Sequence, residues 1–158
     1  MQDAVRHLNN FPATRILNLS SIYLTEASGL KEENSEQFMN MVCLLETELS
    51  PFVLFDLCEY VESLSKRAKN TKGHYLSREL DLDILFYEDR IINSSVLQIP
   101  HPRLSQRDYV LLPLAEIIGK TWKNPLNGLS LKSMIEKFYL QNLPQTIKGK
   151  LPYKIKLS

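Results

Sequence analysis

The chain has 158 residues, 44% of them hydrophobic, and a chain of this length can bury about 70% of its unfolded surface, so one compact domain is expected. Its 19 Lys and Arg against 18 Asp and Glu exclude a general nucleic-acid or acidic-membrane surface and leave electrostatic function to local clusters. No apolar run approaches the roughly 18 residues of a membrane span, the opening six residues are not a signal peptide, and Cys43 and Cys58 lie in apolar runs without a C-x-x-C. These features point to two buried thiols in a reducing, cytoplasmic compartment.

The first predicted element is a short amphipathic helix over residues 2–9, with Ala4, Val5 and Leu8 at helical spacing and Asn9-Asn10 at its end. Residues 15–24 alternate apolar with polar and residues 38–48 are nearly continuous apolar; both read as strands. The polar connection 25–37, with Ser28-Gly29 and four glutamates, is long for a hairpin and is a candidate functional loop. Ser50-Pro51 supplies an N-cap with proline at the first helical position, and Leu54, Leu57, Cys58, Val61 and Leu64 follow at spacings of three and four, the clearest helix. Residues 66–78 hold five Lys or Arg and no acid, a basic loop. Residues 80–87 read as a strand, and Asp89-Arg90 turns the chain toward Ile91-Ile92 and a further strand near 96–99, making a hairpin. Helices are expected over 110–118, despite Pro113, and over 131–140. The Pro- and Lys-rich end, 144–158, is expected to be a loosely held tail or linker behind a domain at 1–143. The element order predicts α+β with an antiparallel sheet.

The segment richest in chemistry is Arg78-Glu79-Leu80-Asp81-Leu82-Asp83-Ile84. A period of two puts Asp81 and Asp83 on one face, with Cα atoms about 6.5 to 7 Å apart. Two such carboxylates can hold Mg²⁺ ions whose remaining ligands are waters and substrate phosphates. The plainer alternative is an exposed strand face with two solvated aspartates, although aspartate is depleted in strands. The preceding basic loop favours a polyphosphate cradle, and Arg67 and Arg78 are better suited than the lysines because a planar guanidinium grips phosphate oxygens bidentately. A second constellation, His101-Pro102-Arg103 with Arg107 and Tyr109, follows a strand end marked by Pro100.

These residues resemble the 6-hydroxymethyl-7,8-dihydropterin pyrophosphokinase family of folate biosynthesis. The resemblance rests on Arg78-x-x-Asp81-Leu82-Asp83-Ile84-Leu85, on His101-Pro102-Arg103 with Arg107 and the run Tyr109 to Ile117, and on Ser20-Ser21-x-Tyr23-x-Thr25 with Phe38-x-Asn40. It covers about residues 1–120 and implies a ferredoxin-like antiparallel sheet with helices packed on it. It also implies an enzyme that moves pyrophosphate from ATP to a pterin alcohol and releases AMP. By matching positions, Asp81 and Asp83 would ligate two Mg²⁺ ions, with Asp83 helping to take the hydroxyl proton. Arg67 and Arg78 would act from a catalytic loop, and Glu62, Ile84, His101 and Arg107 would surround the nucleotide. Phe38 and Tyr109 would stack on the pterin ring, and Thr25 and Asn40 would hydrogen-bond it. Ordinary core packing is the alternative for the two aromatics. Dihydropteroate synthase is the fusion partner or associate the family implies.

The sequence departs from the family at Glu26-Ala27 and Ser28, where prolines and an apolar residue are usual, and at Leu76-Ser77, where Gly-Pro or Gly-Ala is usual; the placement of Tyr75 is correspondingly open. Family members also begin with a strand and a Gly-Ser-Asn turn ahead of the helix that here opens at Met1. Neither is present, so Met1 is expected to be a misassigned start or the chain a fragment. Two alternatives therefore stand beside the kinase: a catalytically silent remnant or interaction domain of a bifunctional chain, and a different ATP-dependent phosphotransferase. The sequence has no Gly-x-x-x-x-Gly-Lys-Ser/Thr loop, which disfavours the P-loop class.

Overall fold

The computed structural model describes residues 1–26, 37–67, 80–141 and 146–152, with the side chains of Lys66 and Arg67 outside the description. Its elements in chain order are α1 (Gln2–Asn9), β1 (Thr14–Leu19), β2 (Ile22–Glu26), β3 (Gln37–Asn40), β4 (Cys43–Thr47), α2 (Pro51–Arg67), β5 (Ile92–Asn93), β6 (Gln98–Ile99), α3 (Asp108–Ile118), α4 (Leu131–Leu140) and β7 (Ile147–Leu151). The chain is α+β, and the pairs β2–β3, β2–β7 and β5–β6 are antiparallel. Among the described residues the strands are distributed over small sheets ordered β1-β4, β3-β2-β7 and β5-β6. No helix among them is long and apolar enough to cross a membrane.

Where composition suggested one compact domain, the chain clusters into two compact units. The first takes in the described residues of Met1–Ile16 and Leu45–His101, the second those of Leu17–Leu44 and Pro102–Lys156. In the first unit α1 buries Ala4, Val5 and Leu8 and touches α2, which buries Leu54, Cys58 and Val61. The spacing of these residues is why both helices form as predicted. Ser50 caps α2, its Oγ accepting the Val53 N–H at 3.4 Å while Pro51 fills the position whose N–H would have no partner. The hairpin is smaller than expected: β5 and β6 pair across a turn in which the Ser94 N–H donates to Leu97 O (3.1 Å) and the Leu97 N–H to Ser94 Oγ (3.0 Å). Residues 80–87 stand outside it. They lie in no strand, because no described strand runs alongside them to form a ladder. Even so, Leu80, Leu82 and Ile84 are half-buried while Asp81 and Asp83 are exposed, the alternation the period of two demands.

In the second unit β2 lies between β3 and β7, and α3 packs on α4 around Leu111, Leu114, Leu131, Met134 and Phe138, all essentially without exposure. Ser130 caps α4 by accepting the Ser133 N–H at 3.1 Å. Gly119, at φ +81°, ends α3 in a conformation that glycine adopts without strain. The predicted strands 15–24 and 38–48 each divide in two. The cause is Ser20, fully buried, whose Oγ accepts the Val42 N–H at 2.9 Å and donates to Ser21 O at 2.8 Å. A side chain that bonds the backbone in this way replaces a rung of the ladder. The 144–158 segment, expected as a loosely held tail, supplies β7: Ile147–Leu151 pairs with β2, placing Lys150 opposite Tyr23. Edge pairing on β2 satisfies backbone groups that a free tail would leave to water.

Candidate functional site

The residues singled out from the sequence fall into two groups, one in each unit. In the first unit, Asp81 and Asp83 present their carboxylates on the exposed side of the extended segment that follows α2. The Glu62 carboxylate, on α2, accepts the N–H of Leu82 at 2.7 Å, so it grips the backbone between the two aspartates. Farther along, the His101 N–H donates to Leu85 O at 2.8 Å and the Tyr87 hydroxyl to Leu49 O at 2.7 Å. The first of these bonds brings His101 Nε2 within 3.7 Å of Asp83 Oδ2, a pair that is ionic when the imidazole is protonated. Ile84 is half-buried beside them. Arg67 ends α2 without a described side chain, and Arg78, with Tyr75, lies outside the described residues.

In the second unit the β2–β3 register pairs Thr25 with Phe38 and Tyr23 with Asn40. Paired residues of antiparallel strands share a face, so Thr25, Phe38 and Asn40 stand together as the period of two predicted. Asn40 Nδ2 donates to Thr25 Oγ1 at 2.9 Å, giving the amide the partner that a half-buried position requires. Phe38 is 39% exposed and Tyr109 half-exposed, so neither belongs to the buried core. Tyr109 sits in the first turn of α3, and the Arg107 guanidinium lies 5.6 Å from its ring centroid, within cation–π range.

Two acidic residues organise this unit, and the sequence reading assigned neither a role. Glu116, on α3, accepts the Ser21 N–H (3.1 Å), the Ser21 hydroxyl (2.7 Å) and the Tyr23 hydroxyl (2.9 Å), and pairs with Lys150 of β7 (3.2 Å). Partial burial raises the Glu116 carboxyl, but these donors and the lysine more than offset it, so it lies below the ordinary glutamate value. Burial, with the Glu116 hydrogen bond, raises the Tyr23 phenol, and the bonds to Glu116 and Tyr23 raise Lys150. Asp108, 3% exposed, accepts from the Tyr109 N–H and the Thr146 hydroxyl at Oδ1 and from the Thr146 and Ile147 N–H groups at Oδ2. Tyr23 and Glu116 do stand inside the motifs quoted for the resemblance, and an acid in a first helical turn is a recognisable signal; the partners from β7 had none. Of the two cysteines only Cys58 is buried; Cys43 is half-buried as a residue, and desolvation of its thiol pushes it up to about 11.

The first unit thus sets paired carboxylates near a histidine, and the second carries a sheet face of threonine, amide and aromatic side chains. The family described as 7,8-dihydro-6-hydroxymethylpterin-pyrophosphokinase (HPPK) matches residues 1–119, and the chain belongs to that family. It is 40% identical over 144 residues to the "Folic acid synthesis protein fol1" of Schizosaccharomyces pombe, covering 90% of this chain and 19% of that protein. It is 37% identical over 123 residues to the "2-amino-4-hydroxy-6-hydroxymethyldihydropteridine pyrophosphokinase" of Bacillus subtilis, covering 78% of this chain and 71% of the other. The protein of that same name from Aquifex aeolicus is 32% identical over 139 residues, covering 85% and 83%. The chain thus spans about a fifth of the fungal relative and most of the bacterial ones.

Proposed function

We propose that this chain transfers pyrophosphate from ATP to the hydroxymethyl group of 6-hydroxymethyl-7,8-dihydropterin and releases AMP. The observation that carries the reading is the pair Asp81 and Asp83, side by side on an exposed face inside the family-matched span. The donor chemistry suits Mg²⁺, since Asp81 and Asp83 would offer hard carboxylate oxygens and leave the remaining positions to water and phosphate. When bound, the two Mg²⁺ ions supply charge neutralisation at the ATP phosphates. The protein's own part is to hold the reactants. Glu62 fixes the backbone between the aspartates and His101 stands beside Asp83. Ile84 beside them and, in the second unit, Arg107 are each assigned to the nucleotide, and Arg67 and Arg78 to the phosphate oxygens. Phe38 and Tyr109 offer ring faces to the pterin, and Thr25 and Asn40 offer hydrogen bonds. The pterin oxygen forms a bond to the β-phosphorus as the bond from that phosphorus to the bridging α–β oxygen breaks. The hydroxyl proton passes to a base, for which Asp83 is the candidate. The fol1 relative, of which this chain matches 19%, supports work within or beside a larger folate-synthesis chain; the proposal takes dihydropteroate synthase as the partner and the cytoplasm as the compartment.

The test is AMP release from ATP, the pterin alcohol and Mg²⁺, with Asp83→Ala compared against the unaltered chain. A loss of at least about 100-fold is expected for removal of a metal ligand. Full activity in the variant would refute the role of Asp83, and no AMP from the folded chain would refute the function.

A further inference from the structure

The Asp108 carboxylate is almost wholly removed from water and has four donors: the Tyr109 N–H at 2.9 Å, the Thr146 hydroxyl at 2.6 Å, and the Thr146 and Ile147 N–H groups at 2.8 and 3.3 Å. A buried carboxylate keeps its charge only where donors replace the lost water. Three of the four here come from the entry to β7, a segment beyond the family-matched residues 1–119. The fourth comes from Tyr109 itself. Asp108 therefore stands between two residues assigned above to substrate, with Arg107 on one side stacked against Tyr109 on the other. A second tie repeats the arrangement two turns along α3, where Glu116 meets Lys150 of the same strand. Eight helical residues from Asp108 to Glu116 rise about 12 Å, and the four strand steps from Thr146 to Lys150 span about 13 Å. The two acids of α3 and their partners, Thr146 just ahead of β7 and Lys150 within it, are thus in step, and β7 is itself laddered to the strand that carries Tyr23 and Thr25.

We propose that Asp108 is a positioning residue through which the C-terminal strand sets Arg107 and Tyr109 for substrate, so that residues 146–151 are part of the functional unit. This rests on the assignment of Arg107 and Tyr109 to ATP and the pterin. Asp108 does not touch substrate; it holds the first turn of α3, and Thr146 and Ile147 hold Asp108.

The test uses the full chain with Thr146→Val, which removes one donor to Asp108 and keeps the side-chain volume, and Thr146→Ser, which restores the hydroxyl. Three quantities are read at a temperature well below unfolding: exchange of the Tyr109 amide, the Kd for ATP and for the pterin alcohol by calorimetry, and kcat for AMP release. Thr146→Val should speed Tyr109 exchange and weaken pterin binding roughly five-fold, the equivalent of one lost hydrogen bond, with kcat at saturation within about twofold. Thr146→Ser should behave as the unaltered chain. A merely structural tie would lower the melting temperature and leave Kd unchanged, and that result would overturn the proposal, as would unchanged Tyr109 exchange. An unaltered chain that binds the pterin alcohol but releases no AMP would overturn the catalytic function alone, leaving the Kd comparison to decide the role of Asp108. A chain that binds neither substrate would overturn both.

Discussion

Replacing Glu116 with alanine removes the acceptor on which three donors and one cation converge, and the cost can be worked from their surroundings. Tyr23 is 6% exposed, and its hydroxyl, 2.9 Å from Glu116 Oε2, loses its carboxylate acceptor; a donor of a buried residue left without its acceptor costs about 1 to 3 kcal/mol. The Ser21 N–H and hydroxyl lie at an exposed position and rehydrate, so their loss costs less. The Lys150 pair is half-exposed and contributes about 0 to 1 kcal/mol. The expected loss is about 2 to 4 kcal/mol in urea unfolding at neutral pH, read as a lower midpoint with an unchanged slope. Combined with Tyr23→Phe, which removes the stranded hydroxyl, Glu116→Ala should cost about 1 kcal/mol less than it does alone. A pH series checks the same cluster. The folded-state value of Glu116 is depressed, so its stabilisation is complete above the ordinary glutamate value and fades as pH falls through the lower folded value. Those of Tyr23 and Lys150 are raised, so their contributions are complete below the ordinary values and fade as pH climbs through the higher folded ones. Glu116→Gln should flatten the acid limb. A change below about 0.5 kcal/mol for Glu116→Ala, or strict additivity with Tyr23→Phe, would refute the view that this cluster joins α3 to β2 and β7.

The other predictions concern single residues. Phe38→Ala removes a ring that is 39% exposed and outside the buried core, so stability should move by less than about 1 kcal/mol while the KM for the pterin alcohol rises roughly ten-fold; a large drop in melting temperature with unchanged KM would assign Phe38 to packing. Glu62→Ala frees the Leu82 N–H between the two aspartates, and AMP release should then require several-fold more Mg²⁺ for half-maximal rate, within the roughly 10- to 100-fold range of losses that outer ligand supports produce. An unchanged Mg²⁺ titration would count against that support. With its thiol raised to about 11, Cys43 should react with a chromogenic disulfide at pH 8 far more slowly than a free thiol, and prompt reaction in the folded chain would contradict its desolvation.

The parts of this protein set by local pattern were legible in the sequence. α1, α2 and α4 follow from apolar residues at helical spacing, with Ser50 as the cap of α2, because a helix closes its hydrogen bonds within itself and needs only one apolar stripe to dock. The period of two likewise puts Asp81 with Asp83, and Phe38 with Asn40, on one face each. Pairing was another matter. A strand borrows half its hydrogen bonds from a partner that can lie anywhere in the chain, so the division of the first two strands at Ser20 and the extended, unladdered run at 80–87 left no local mark. β7 was hidden for the same reason: Ile147–Leu151 is short and lysine-bearing, and reads as a tail until β2 is beside it. Glu116 lay within the expected helix 110–118 and Asp108 two residues before it, but only the tertiary structure decided that each would be bound to the 146–151 segment, since those partners lie 34 to 39 residues farther along the chain.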